Sequence, residues 1–276
     1  MNSDCIITQV HVPEYDVQGN LDYSQKLRLV EFGLKHLRAF NKNAYIILSG
    51  HGYRPCVDAL SNCDHVIWND KSEPLNEYGY VIGMPAQYKY VSLALKQAIK
   101  KRFDRCLKTR GDCIIGIENI TSYCDQILDS ENKMLLITQQ TGIDRMGDCF
   151  MYGSTEMLDA VWDGRQPMHD PDGLQNTAIN FKRLYGSDRP WIDLVKQYCS
   201  LRNVNTLKFM CLRWNYHKLN GLPDQVCRDL LNPGFNFNDY HWGLANGWHI
   251  FDNDGNMSGT SFLSWSEKDY YKNGVS

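Results

Sequence analysis

The sequence predicts an α/β fold, a mainly parallel sheet flanked by helices, and two observations predict it. Short apolar, β-branched runs alternate with longer segments whose apolar residues recur every three to four positions. Several of the runs end in glycine or charge, at Gly50-His51-Gly52, Asn69-Asp70 and Arg110-Gly111-Asp112. Ligands of open α/β sheets gather outside the carboxyl ends of the strands. These endings are therefore candidate site residues rather than solvated turns.

The elements follow in order. Cys5–Val12 (CIITQVHV) reads as a buried strand. Asp22 and Gln25 form a capping box for a helix whose apolar face is Tyr23, Leu27, Val30, Leu34 and Leu37. Ala44–Ser49 is the second strand, stopped by the Gly-His-Gly triplet, and a short helix fits within 53–62. Asp64–Trp68 is the third. A polar connection over 69–85 leads to a helix from Pro85 to Arg102 with Tyr88, Val91, Leu95 and Ala98 on one face. Arg105–Thr109 is the next strand. Lys133–Thr138 and Cys149–Tyr152 follow, then a helix at Thr155–Trp162. Beyond it the spacing predicts helices over 174–185 and 190–202, a strand at Leu207–Trp214 and a tail rich in Trp, Asn and Gly. No linker or repeat divides the chain. The expected organisation is one domain over 1–276, with a core at 1–165 and an extension at 166–276.

The 276 residues, 43% hydrophobic and 22% charged, have the composition of a globular domain. The net charge is −3 and no basic stripe occurs, so nucleic acid is not an expected partner. Ten cysteines include no C-x-x-C pair, so a zinc site is not expected. The N-terminal residues lack a signal-peptide pattern, and no run is long enough for a transmembrane helix. The expectation is a cytoplasmic protein with free thiols, compatible with peripheral contact with a membrane.

Lys108-Thr109-Arg110-Gly111-Asp112 carries the chemistry. A carboxylate after a buried strand suits a hard divalent cation, Mn²⁺ or Mg²⁺, so Asp112 is the candidate metal ligand. Arg110 and Lys108 suit phosphates, the one through a planar fork and the other as a point charge. Strand alternation puts 108, 110 and 112 on one side if the extended geometry continues. His11, His51 and Asn69-Asp70 are weaker candidates, each with an ordinary structural alternative.

This K-T-R-G-D segment follows an apolar strand and an amphipathic helix carrying Lys89-Tyr90-Val91-Ser92. It resembles the K-x-R-[ST]-D segment of the WavE-like lipopolysaccharide-synthesis glycosyltransferases. Asp148-Cys149-Phe150-Met151-Tyr152-Gly153 and the helix ending in Trp162 look like that family's D-x-[FW]-x-x-G segment and the helix after it. Pro171-Asp172-Gly173-Leu174-Gln175 is loosely similar to a later P-E-x-x-L stretch. The resemblance spans roughly residues 5–185.

It implies a GT-A type fold, a nucleotide-sugar donor, a glycan or glycolipid acceptor and a divalent metal. By the same resemblance Thr8, Gln9, Lys89, Lys108, Arg110 and Asp112 are donor-binding candidates. Arg110 and Asp148 are the catalytic candidates, with Asp148 as general base; Asp144, Asp170 and Asp172 are its rivals. The sequence departs from the fold's usual D-x-D, because Arg110 stands where the first acid is common. The expected function is transfer of a sugar to a glycan hydroxyl. The alternatives are a non-catalytic nucleotide- or glycan-binding module and a sugar-phosphate nucleotidyltransferase. The latter usually carries a Gly-rich basic loop after the first strand, where this chain has His11-Val12-Pro13-Glu14-Tyr15.

Overall fold

A computed structural model describes residues 5–12, 22–71, 83–128, 133–137, 149–163, 174–186, 188, 194, 197–202, 208–212 and 221–232. In chain order the elements are β1 (Cys5–Val12), α1 (Tyr23–Phe40), β2 (Tyr45–Gly52), α2 (Val57–Leu60), β3 (His65–Asn69), α3 (Gly83–Lys100), β4 (Arg105–Arg110), β5 (Cys113–Ile115), α4 (Ile120–Ile127), β6 (Met134–Ile137), β7 (Phe150–Ser154), α5 (Thr155–Val161), α6 (Leu174–Tyr185), β8 (Cys199–Arg202), β9 (Phe209–Cys211) and α7 (Asp224–Leu230).

Among the described residues, seven strands form one sheet in the order β3-β2-β1-β4-β7-β6-β8. β3, β2, β1 and β4 are mutually parallel. β7 runs antiparallel to both β4 and β6, and β8 is parallel to β6. This is the mainly parallel, Rossmann-like α/β sheet that the alternating pattern predicts. A separate two-stranded ribbon pairs β5 with β9 antiparallel, Cys113 facing Cys211.

The pleat divides the apolar residues between two layers. Cys5, Ile7, Ile47, Cys106 and Met151 pack with α3, α5 and α6. Ile6, Ile46, Leu107, Phe150 and Tyr152 pack on the opposite side with Leu37 of α1, α4 and the ribbon. Val10, Val12 and Leu48 meet Val30 and Leu34 of α1 on that second side. The capping box at the start of α1 is present: the Gln25 amide donates to Asp22 at 2.8 Å and the Asp22 amide donates to Gln25 at 3.1 Å. Tyr23, assigned from the sequence to the apolar face, is instead exposed and stacks on Tyr53 at 4.2 Å.

Three expectations are corrected. The helix predicted over 190–202 gives way at Cys199 to β8, because Cys199–Arg202 completes the sheet beside β6, with Leu136 opposite Leu201. Sheet pairing overrides the local periodicity there. Of the strand predicted over Leu207–Trp214, the described residues 208–212 hold strand at Phe209–Cys211, and its partner β5 was not foreseen. Gly50-His51-Gly52 does not stop β2. It continues it, paired through to Val12 of β1.

Candidate donor site at the β1–β4 switch point

The chain moves outward from β1 through β2 to β3, then returns to place β4 on the other side of β1. The β1–β4 boundary is thus a topological switch point, where open α/β sheets form a crevice outside the strand ends. Gln9 and Arg110 are register partners across this boundary. The backbone immediately turns: the Gly111 amide donates to the Gln9 carbonyl at 3.0 Å. Space around Gly111 is tight. A Cβ there would lie 3.1 Å from the Val10 Cβ, and Gly33 of α1 sits so close that its own Cβ would be 2.3 Å from the Gly111 carbonyl oxygen.

The turn folds Asp112 back onto Arg110. The guanidinium donates from Nε to Oδ1 at 2.9 Å and from Nη2 to Oδ2 at 2.7 Å. The Asp112 side chain is fully buried and that of Arg110 is 16% exposed. Such a two-point pair is the strong form of a charged hydrogen bond, and it fixes the orientation of the fork. Asp112 is also tied to the ribbon, its carbonyl accepting from the Leu212 amide at 2.8 Å.

The other candidates divide by face. Gln9, Ser49, Lys108 and Arg110 share the α3 side of the sheet by alternation and register. Thr8 points to the α1 side, so Thr8 and Gln9 cannot serve one ligand from one face. Both are buried. Lys108 is the other phosphate candidate named from the sequence. It is fully buried, with Nζ 4.4 Å from the centre of the Trp162 ring. The β4–β1 pairing and the α5 roof draw it inward, where an aromatic face receives the cation. Lys89 is exposed on α3, its Nζ 5.5 Å from the Tyr90 ring.

His11, His51 and Tyr90 form a column of rings at the same sheet edge. Their centroids are 5.7 Å and 5.3 Å apart. Beside them the buried Ser49 hydroxyl has no hydrogen-bond partner among the described residues. Asp70 pairs with Arg54 at 3.8 Å on the surface. Asp148, with Asp144, Asp170 and Asp172, lies outside the described residues. Its neighbour Cys149 accepts the Thr109 hydroxyl through its carbonyl at 2.9 Å.

Sequence reasoning missed the surroundings of Asp112. One ligand atom each from Asp112, Cys113 and Cys211 lie within 4.8 Å of one another, all buried. Burial pushes the Cys113 thiol well up, helped by the Cys149 and Cys211 thiols it hydrogen-bonds. These cysteines are 36 and 62 positions apart along the chain, so no spacing pattern announces them. The donor set does not fit Mn²⁺ or Mg²⁺, which prefer oxygen. Two of its three members are sulfur, and both Asp112 oxygens already accept from Arg110. No catalytic step is routed through such an ion.

No family model matches the chain, and no curated protein matches it. Among solved structures the chain is similar to a protein assigned as a nucleotide-diphospho-sugar transferase from Desulfovibrio desulfuricans G20. The identity is 12%, the coverage is 84% of this chain and 94% of that one, and the TM-score is 0.45. It is also similar to HddC from Yersinia pseudotuberculosis, at 12% identity over 81% of this chain and 98% of that one, TM-score 0.38. S. aureus TarS matches at 12% identity over 64% of this chain and 33% of that one, TM-score 0.37.

Proposed function

We propose that the chain is a glycosyltransferase that moves a sugar from a nucleotide-sugar to a hydroxyl of a glycan or glycolipid. The observation that carries this reading is Arg110. It stands at the β1–β4 switch point beside Gln9, its fork held by Asp112 and its side chain partly open to solvent. An arginine is always charged and its planar donors match phosphate oxygens. In the transfer, the bond from the sugar's anomeric carbon to the diphosphate breaks and a bond to the acceptor oxygen forms. Negative charge gathers on the departing nucleoside diphosphate. A preoriented cation stabilises that charge without reorganising. Arg110 takes this part, and the acceptor proton passes to a carboxylate, for which Asp148 is the candidate from the WavE-like resemblance. Gln9 lines the donor side.

Lipopolysaccharide synthesis is the finer version of the reading and rests on that resemblance alone. No helix among the described residues is long and apolar enough to cross a membrane. A glycolipid acceptor would be met at a membrane surface.

A second reading, a non-catalytic nucleotide-binding module, draws on the same pair: both Asp112 oxygens are engaged by Arg110 rather than open to an ion. The test is calorimetric titration of the full chain with UDP, GDP, CDP, ADP and dTDP, with chelator and with Mn²⁺. Donor hydrolysis and transfer assays follow under the same conditions. Binding with turnover in chelator supports the transferase with Arg110 in the metal's place. Binding without turnover supports the module. Synthesis of nucleotide-sugar from a nucleoside triphosphate and a sugar phosphate moves the assignment to a nucleotidyltransferase. Absence of all nucleotide binding removes all three.

A further inference from the structure

We propose that Cys113 and Cys211 are a paired modification site, a dithiol that closes to a disulfide and staples the β5–β9 ribbon beside Asp112. The register sets the pairing. Cys113 lies directly opposite Cys211, with Ile114 opposite Met210 and Ile115 opposite Phe209. At the two ends of the ribbon, the Leu212 amide donates to the Asp112 carbonyl and the Gly116 amide to the Lys208 carbonyl, each at 2.8 Å. Hydrogen-bonded and non-hydrogen-bonded rungs alternate along an antiparallel pair. Counting inward from either end makes Cys113–Cys211 a non-hydrogen-bonded rung. On such rungs the Cα atoms stand about 4.5 Å apart and the side chains are closest. A disulfide spans Cα separations of about 4.4–6.8 Å. The two sulfurs already lie within 4.8 Å of each other. Rotation about the Cα–Cβ bonds brings them to bonding distance with the backbone in place.

Both thiols are buried. Burial pushes the Cys113 thiol well above the ordinary cysteine range, and a protonated thiol is a poor nucleophile. The pair therefore reacts when the short ribbon opens, not while it is closed. The oxidant is a small disulfide such as oxidised glutathione. One cysteine thiolate attacks it, its S–S bond breaks and one small thiol leaves behind a mixed disulfide. The second cysteine thiolate attacks that mixed disulfide and expels the other small thiol. The two cysteines give up two protons and two electrons, and the small disulfide is reduced to two thiols. The consequence falls on Asp112. The Cys113 thiol donates to Asp112 Oδ1 at 3.8 Å, the same oxygen that accepts from Arg110 Nε. A disulfide sulfur has no hydrogen to donate, so oxidation withdraws this donor while the staple fixes the ribbon one residue from the carboxylate. The proposal stands whether or not the donor reading does.

The experiment incubates the full chain with oxidised glutathione in sub-denaturing urea, blocks the remaining thiols and maps the bonds by tandem mass spectrometry. One Cys113–Cys211 bond is expected, forming faster as urea rises and reversed by dithiothreitol. The oxidised chain should then show a higher denaturation midpoint than the reduced one, because the bond closes a long loop of the unfolded chain. Cys211→Ala should leave Cys113 unbonded, while Cys199→Ala, which removes a buried thiol of β8, should keep the bond. If Cys211→Ala does not fold, the wild-type map and midpoint decide. A Cys113 that stays a thiol throughout, or that bonds to Cys149 instead, overturns the proposal. So does a Cys113–Cys211 bond that lowers the midpoint.

Discussion

Arg110 and Asp112 are two residues apart in the chain and face each other across a glycine turn, joined by hydrogen bonds of 2.9 Å and 2.7 Å. A buried carboxylate and its fork form one unit, so removing either half exposes the other. Arg110→Met should lower stability by about 3 kcal/mol, because it removes the guanidinium paired with both oxygens of the buried Asp112. Arg110→Met combined with Asp112→Leu should recover much of that loss. Urea denaturation of Arg110→Met, Asp112→Leu and the double variant closes the cycle; additive losses would show that the two residues do not act together. Arg110→Lys keeps the charge and loses the planar fork. It should weaken nucleoside diphosphate binding by about tenfold, or roughly 1.4 kcal/mol.

Lys108 separates the sequence expectation from the observed placement. Buried beneath Trp162, it is not presented at the strand end as Arg110 is. Lys108→Met should therefore reduce nucleoside diphosphate affinity much less than Arg110→Met does. Equal losses in a titration would return Lys108 to the diphosphate. Trp162→Leu should cost about 3 kcal/mol of stability. It removes the aromatic face over Lys108, the 5.0 Å contact with Tyr88 and much of a buried ring's volume.

Gly33 lies on α1, far in sequence from the site it supports. Alanine there would gain roughly 1 kcal/mol of helix propensity in isolation. In the protein its Cβ would meet the Gly111 carbonyl oxygen at 2.3 Å, and that oxygen belongs to the turn holding Asp112. Gly33→Ala should be destabilising by at least 1 kcal/mol and should weaken donor binding along with Arg110→Lys. A melting temperature at or above wild type would show that the turn gives way freely.

His36 should make folding acid-sensitive. It is fully buried between Phe32 and Phe40, and burial lowers its pKa to about 3. The folded state then binds fewer protons than the unfolded one, whose histidine titrates near its usual value of about 6.5. The stability associated with neutral His36 is complete above that value. It is lost as pH falls toward about 3, at up to about 1.4 kcal/mol per unit from this group. His36→Leu should flatten that part of the stability–pH curve measured by denaturant titration. An unchanged slope would mean that the ring charges within the folded protein.

Much of this protein was legible in one dimension because local periodicity carries it. The strands β1 to β4, the capping box at Asp22 and the α3 face from Tyr88 to Ala98 all follow from which residues repeat at which step. The prominence of Arg110 and Asp112 followed from charge placed directly after a buried strand. The strand order that makes the β1–β4 boundary a switch point is set by long-range pairing. So are the antiparallel β7 and the strand rather than helix at Cys199. Tertiary structure alone turned Lys108 under Trp162 and brought Cys113 and Cys211 to the Asp112 carboxylate. The physical reason is common to both. Which face a side chain occupies, and what meets it there, depends on register with segments tens of residues away, and no local pattern encodes that partner.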